Sequence, residues 1–260
     1  MDIPLIPLDT VYHVGTLDPS RRGANYAVSQ EGSGLSVSLC PYAWMTIAAL
    51  DGDVLELART GSEFVDIMAI DDEGRRSILA WAVDAGLVEE AVRYRGWEYD
   101  VEFEEWRYSL YESVEKAEEE IRAAAMLDDD DPLSDSCPED VELPEGVTGQ
   151  VQEVRVHVLT PLGLARASGF GSDIDAVDLA VAFHAEDVLM QERPSVVGVW
   201  WNETLDPARL SAPRGAVFPS RVAEFSVSPA RGLSGEDDRL EREMPEPVAV
   251  AFGAPAPALG

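Results

Sequence analysis

The stretch YHVGT, Tyr12 to Thr16, places His13 before a glycine turn, and two adjacent arginines, Arg21 and Arg22, follow it. Both imidazole nitrogens can bind a ligand, and arginine offers forked donors to phosphate groups. Two interpretations follow from these residue types. The stretch is either a half-buried first strand whose histidine faces solvent, or a ligand-binding strand with a basic edge.

Two further stretches carry residues that could take part in the same chemistry. GSGLSVSLCPYAW predicts a strand with Ser36 and Ser38 on its polar face, running into a helix that begins near Tyr42. VVGVWWNETLD predicts a buried strand, and a later strand contains EFSV, which starts at Glu224. Each residue also has an ordinary structural interpretation, as strand polar face, aromatic core or solvent-facing carboxylate.

In this order the three stretches resemble the ADP-ribosyltransferases of the diphtheria-toxin and poly(ADP-ribose) polymerase type. There a first strand holds histidine in an HGT-like setting, and a second strand of the form G-[LI]-x-[VF]-[SA] leads into a helix with an aromatic residue. A DGV-like strand then precedes a strand that opens with the catalytic glutamate. This chain departs by inserting Val14 and by placing Val197 where the family has aspartate. The Ser36-x-Ser38 pair is also similar to the arginine-serine-glutamate branch of the superfamily.

The resemblance implies a transferase of the toxin or effector kind, which cleaves the nicotinamide–ribose bond of NAD and passes ADP-ribose to an unknown acceptor. NAD is then the substrate, and no metal is expected. The resemblance implies that Glu224 stabilises the oxocarbenium-like cation and that His13 orients a ribose. It also implies that the nicotinamide is bound through its amide by Gly15 and Thr16 and through its ring by Tyr42. The remaining implied binding residues are Ser36 and Ser38, which line the site, and Arg21 and Arg22, which bind the pyrophosphate.

The surrounding pattern predicts the elements that must position these residues. Helical periodicity predicts helices from Pro41, within GRRSILAWAVDAGL, over WRYSLYESVEKAEEEIRAAAML, and in SDIDAVDLAVAFHAEDVLM with Ser172 as its N-cap. Alternation predicts a strand in GQVQEVRVHVLT. The predicted fold class is α+β, a split mixed or antiparallel sheet of the ADP-ribosyltransferase type. It would form one domain over 1–227, with a helical insertion at 51–150 that contains an acidic loop at 127–146, and a Pro/Ala/Gly-rich tail at 228–260.

The charge of the chain limits its partners. Lys+Arg number 19 against 50 Asp+Glu, a formal net charge of -31. Such a field repels phosphate chains, so extended nucleic-acid binding is not expected. The start has no signal-peptide pattern and no apolar run approaches a membrane span, so a cytoplasmic protein without a membrane partner is predicted. Cys40 and Cys137 show no metal-ligand spacing, and His157 and His184 lack a third ligand.

The same acidity supports an alternative from another class. A non-catalytic acidic interaction protein, acting as a polyanion mimic or inhibitor, would capture a basic partner. It would show a continuous acidic ridge made from Asp128–Asp131 and the Glu115–Glu120 segment. An enzyme would instead gather its few arginines around His13 and Glu224.

Overall fold

The computed structural model describes residues 2–17, 31–101, 104–127, 132–137, 141–167, 175–206, 211–231 and 248–251. The chain divides into two compact units, the first formed by Met1–Val88 with Leu159–Gly260 and the second by Glu89–Val158. Strands and helices are mixed in both, which confirms the predicted α+β class. The description of 51–150 as helical is wrong, because this region contains strands as well as helices.

A nine-stranded sheet forms the centre of the first unit. Its strands are β1 (Asp2–Pro7), β2 (Thr10–Val14), β3 (Leu35–Ser38), β4 (Val54–Ala58), β5 (Glu63–Asp66), β9 (Val196–Trp201), β10 (Arg214–Val217), β11 (Ser226–Pro229) and β12 (Val248–Ala251). Their order across the sheet is β11-β4-β2-β3-β10-β9-β5-β1-β12. Neighbours run antiparallel apart from the parallel pair β5 and β9.

Apolar side chains cover both faces of this sheet. One core contains Val65, Val199 and Trp201 with the helices α2 (Asp72–Asp84) and α5 (Ala176–His184). A second core on the other face includes Val37 and Trp200. Strand β9 is buried along its whole length, as expected for a near-continuous apolar run in a central strand.

Local signals in the sequence explain where the helices of this unit begin. Helix α1 (Pro41–Ile47) starts with proline, which lacks the N–H that a first helical turn leaves unpaired. The Asp71 side chain caps α2 by accepting from the amide of Gly74 at 2.7 Å. Helix α4 (Pro161–Arg166) begins soon after Leu159, and α5 continues through a π-helical turn (Ala185–Leu189) into α6 (Met190–Glu192). The predicted N-cap Ser172 lies outside the described residues.

The described residues of the second unit contain a three-stranded sheet and one α-helix. Its strands, in the order β7-β6-β8, are β6 (Val88–Asp100), β7 (Glu105–Tyr111) and β8 (Val151–Leu159), and its helix is α3 (Val114–Ala125). The single helix expected over Trp106–Leu127 is therefore wrong in its first part. The alternating segment WRYSLY is a strand, and Ser113 caps α3 at the amide of Lys116. Asp128–Asp131, part of the predicted acidic ridge, lie outside the described residues.

The region predicted as a tail contributes strand residues to the first unit. Strand β11 ends at Pro229, and Val248–Ala251 pairs antiparallel with β1. In the part of the chain that the structure describes, no helix has the length and apolar character needed to cross a membrane.

Candidate functional site

His13 lies where the ladder between β2 and β3 stops. The two strands share the residue pair Tyr12 and Ser38. Beyond it, His13 Nδ1 is 2.8 Å from the carbonyl oxygen of Ser36, and Nε2 is 3.1 Å from that of Thr16. A neutral imidazole has one N–H and donates to one of the two. The residue is 8% exposed, so the interpretation of His13 as a solvent-facing residue is wrong.

The turn after β2 is fixed by backbone geometry. Gly15 has a φ of +105° and its amide donates to the carbonyl of Asp53 at 2.9 Å. A Cβ placed on the facing Gly52 would come within 2.8 Å of Gly15 Cα, so the two backbones touch. Thr16 is exposed beside them. A role of Gly15 and Thr16 in binding nicotinamide stays a prediction.

A buried arginine joins β10 to this region. Arg214 is opposite Ser38 in the β3–β10 ladder, and Ser38 Oγ donates to the carbonyl of Pro213 at 2.7 Å. The Arg214 side chain is 7% exposed. Its guanidinium lies 5.1 Å from the centroid of the Trp44 ring and 5.3 Å from that of Trp201. Its Nη1 is 2.5 Å from Glu203 Oε2, and this ion pair together with the two indoles offsets the cost of burying the charge.

We use the name Arg214 cluster for six residues from β3, α1, β9, the segment after β9, and β10: Ser36, Ser38, Trp44, Trp201, Glu203 and Arg214. Ser36 connects the cluster to His13, whose ring lies against the Ser36 carbonyl. The Ser36 hydroxyl accepts from Trp44 Nε1 and donates to Glu31 Oε1, both at 3.0 Å. Glu31 is buried. The residues therefore form one connected polar network at a single region of the sheet.

A carboxylate of α5 borders the cluster. Asp178 accepts from Trp201 Nε1 at 2.8 Å, and Arg75 Nη1 is 3.7 Å from its other oxygen. Burial raises the pKa of Asp178, while the Trp201 hydrogen bond and the positive charges of Arg75 and Arg214 oppose that rise. The charge of Arg214 therefore acts on a carboxylate of α5, where it favours the ionised form.

Tyr42 and Trp44 are both on α1, and it is Trp44 that enters the Arg214 cluster. Tyr42 is half-buried and its carbonyl accepts from Thr46 Oγ1 at 3.2 Å. Its stacking role stays a prediction. Sequence reasoning did not identify Arg214 or Glu203. Arg21 and Arg22 lie outside the described residues.

The structure does not bring Glu224 and His13 together. Strand β11 begins at Ser226 beside Ala58 of β4, which is opposite Thr10 of β2. Thr10 is on the order of 10 Å from His13 along β2, since strands rise about 3.3 Å per residue. The strand that follows β9 in the chain is instead β10, and it opens with Arg214.

Two arginines hold Glu224 at the protein surface. Its oxygens lie 2.5 Å from Arg221 Nη1 and 3.0 Å from Arg59 Nε, and the side chain is 36% exposed. The Arg221 hydrogen bond, with the charges of both arginines, lowers the pKa of Glu224. A catalytic role for Glu224 stays a prediction, and this environment is that of a surface ion pair.

Within the described ranges, no group of three or more His, Cys, Asp or Glu side chains is placed to hold a metal ion. Comparison with known proteins finds no matching family model, no matching curated protein and no matching solved structure. The arrangement around His13 and Arg214 therefore has to be interpreted from its own chemistry.

Proposed function

We propose that the chain is an ADP-ribosyltransferase-like protein that binds NAD, cleaves its nicotinamide–ribose bond and transfers ADP-ribose to an acceptor. One observation carries the proposal. Three of the four segments that the family resemblance selects become β2, β3 and β9, which β10 joins side by side in one sheet, while the fourth, EFSV, leads into β11. His13 follows Tyr12, the β2 residue that pairs with Ser38 of β3, and α1 begins at Pro41 soon after Ser38.

In this proposal, His13 is a preorganised group. The Ser36 carbonyl and the Thr16 carbonyl fix the ring between β3 and the turn after β2. The backbone of Gly15, adjacent to this ring, binds the nicotinamide amide, and Tyr42 supplies the stacking ring from α1. Fixed polar groups of this kind lower a barrier because they need not reorganise during the reaction.

The reaction also requires a carboxylate near the ribose, because positive charge develops on the sugar as the nicotinamide leaves. We assign this role to Glu203, the carboxylate of the Arg214 cluster. It lies at the opening of β10, where Arg214 Nη1 and the Ser211 hydroxyl, 3.2 Å away, orient one of its oxygens. Its side chain is 22% exposed and so is accessible to a ligand, whereas Glu31 is buried.

Nicotinamide release from NAD by the purified protein tests the proposal, at low and at high salt because the acidic chain repels an anionic substrate. We expect release by the wild type and a loss of about 100-fold or more in Glu203→Gln, the size typical of removing a transition-state electrostatic group. Glu224→Gln serves as the matched carboxylate control and should keep its activity.

Each other outcome has a distinct meaning. If Glu224→Gln loses nicotinamide release and Glu203→Gln keeps it, then Glu224 is the catalytic carboxylate. No release, together with no NAD binding by calorimetry, would refute the enzymatic proposal altogether. NAD binding without release would leave a nucleotide-binding protein that retains no transferase activity.

A further inference from the structure

The sheet of the second unit has two faces of different composition. On one face Gly96 approaches Ile121 of α3 and the ring of Tyr111, so the helix packs there. The other face carries the residues at alternating positions of β6 and β7, and Gln152 of β8, which accepts from Trp97 Nε1. We call it the aromatic face, and it consists of Arg95, Trp97, Tyr99, Trp106, Tyr108, Leu110 and Gln152.

Four aromatic rings form two cross-strand pairs on the aromatic face. The ring centroids of Trp97 and Tyr108 are 5.2 Å apart and those of Tyr99 and Trp106 are 5.5 Å apart, both edge to face. None of the four belongs to a core cluster of the described residues, and Tyr108 is 44% exposed. These large side chains are therefore only partly covered within the described chain.

Charge is segregated between the two faces. Acidic residues outnumber basic ones several-fold in residues 89–158, yet none of the seven residues that define the aromatic face is acidic. The strand acids Glu98, Asp100 and Glu105 alternate onto the face that carries α3. Arg107 on that face is ion-paired to Asp100 at 2.9 Å and to Glu105 at 3.2 Å. The seven residues therefore form an aromatic surface with one positive charge, and the backbone of Glu142 borders it by accepting from Trp106 Nε1 at 2.8 Å.

Arg95 differs from Arg107 in lacking a carboxylate partner among the described residues. Its guanidinium lies over the rings of Tyr108, at 4.5 Å, and Trp97, at 5.7 Å. Its Nε is buried and has no hydrogen-bond acceptor within the described part of the chain. A guanidinium that no carboxylate of the described residues neutralises is suited to pair with a carboxylate of a partner, because such charge-assisted hydrogen bonds are among the strongest.

We propose that the aromatic face is a docking surface for a segment of another protein, which lays apolar side chains on the rings and brings a carboxylate to Arg95. Trp, Tyr and Arg are the residues that dominate binding energy at protein interfaces, and all three are concentrated here. A nucleic acid carries a negative charge on every phosphate and would meet far more repulsion from the surrounding acidic residues than a peptide with a single carboxylate. A second copy would place Arg95 opposite an identical, carboxylate-free face.

The test is selection of short peptides from a random displayed library on the full chain. We expect the selected peptides to combine apolar residues with at least one Asp or Glu. Their synthetic versions should lose about 10-fold or more in affinity for Arg95→Gln and for Tyr108→Ala. Replacing the peptide carboxylate by its amide should cause a similar loss with the wild-type chain.

Two matched variants control for general effects on the sheet. Arg107→Gln and Tyr111→Phe change the same residue types on the face that carries α3, and both should bind the peptides as the wild type does. Near-UV circular dichroism on all four variants confirms that the sheet is intact.

Several results would overturn the proposal. The first is that no selected peptide depends on Arg95 and Tyr108 for binding. The second is that the selected peptides are basic and bind Arg95→Gln more tightly than the wild type. Tyr108-dependent binding of an oligothymidine would assign the surface to nucleic acid. Self-association in sedimentation that Tyr108→Ala abolishes would assign it to a second copy.

Discussion

Burial of His184 predicts a defined loss of stability on acidification. The side chain is 2% exposed on α5, and its ring meets Trp81 of α2 edge to face with centroids 5.0 Å apart. Its Nδ1 has no hydrogen-bond partner among the described residues. Burial lowers the pKa of His184 to about 4, and the nearby charge of Asp187 opposes this effect only in part.

The direction and the size of this change in the free energy of unfolding follow from the difference in proton binding between the folded and unfolded chains. As the pH falls below about 6.5, the ordinary histidine pKa, the unfolded chain takes up a proton that the folded chain does not. The free energy of unfolding therefore decreases between about pH 6.5 and pH 4. A difference of about 2.5 units between the two states gives a loss of about 2 kcal/mol at pH 5 and about 3 kcal/mol at pH 4.

Urea unfolding at about pH 7.5 and about pH 5, followed by circular dichroism, measures this difference. The variant His184→Gln should show a pH dependence about 2 kcal/mol smaller than the wild type, even though its stability at neutral pH differs. His157→Gln, which removes a half-buried histidine of β8, is the control. The raised pKa of Asp178 acts in the opposite direction but is common to all three proteins. An equal fall in stability for wild type and His184→Gln would refute the assignment.

Three further substitutions test the local arguments. Asp71→Ala removes the cap of α2 and should lower the free energy of unfolding by about 1 kcal/mol, measured by thermal denaturation. Gly198→Ala places a Cβ 2.2 Å from the carbonyl oxygen of Ala216, so a loss of about 3 kcal/mol or failure to fold is expected, whereas Gly149→Ala should be tolerated in the same urea titration. The hydrogen bond from Arg193 lowers the pKa of Glu63. The stability that this ion pair adds is therefore present above about pH 4.5 and is lost as the pH falls further. Glu63→Gln should thus cost about 1 kcal/mol at neutral pH and flatten the acid limb of the stability profile.

Local pattern was enough to predict several elements of the fold. Alternation predicted β3 and β8, helical periodicity predicted α2 and α5, and a proline marked the start of α1. The pattern misled at WRYSLYESVEKAEEEIRAAAML, where apolar residues occur at both spacings. There the aromatic pairs of Tyr108 with Trp97 and of Trp106 with Tyr99 stabilise a strand. Trp97 and Tyr99 lie outside the segment, so its own periodicity cannot indicate these pairs.

The candidate site shows the same limit at longer range. Ser36 and Ser38 could be placed on a strand beside the histidine strand because their order in the sequence is typical of the resembled family. Arg214 could not, because its strand is only four residues long and its environment comes from Ser38, Trp44 and Trp201. These residues meet only when distant strands pair.

The contrast between Glu224 and Glu203 follows from this difference between motif and sheet order. EFSV specifies a segment suited to a strand, but four residues do not specify the strand's neighbours. In the sheet β11 pairs with β4, on the side of β2 away from β3, whereas β10 pairs directly with β3. Glu203 belongs to the Arg214 cluster through its ion pair with Arg214, whereas Glu224 pairs with Arg59 and Arg221 beside β4. Comparing Glu203→Gln with Glu224→Gln on nicotinamide release thus decides between a site set by strand pairing and one set by a short motif.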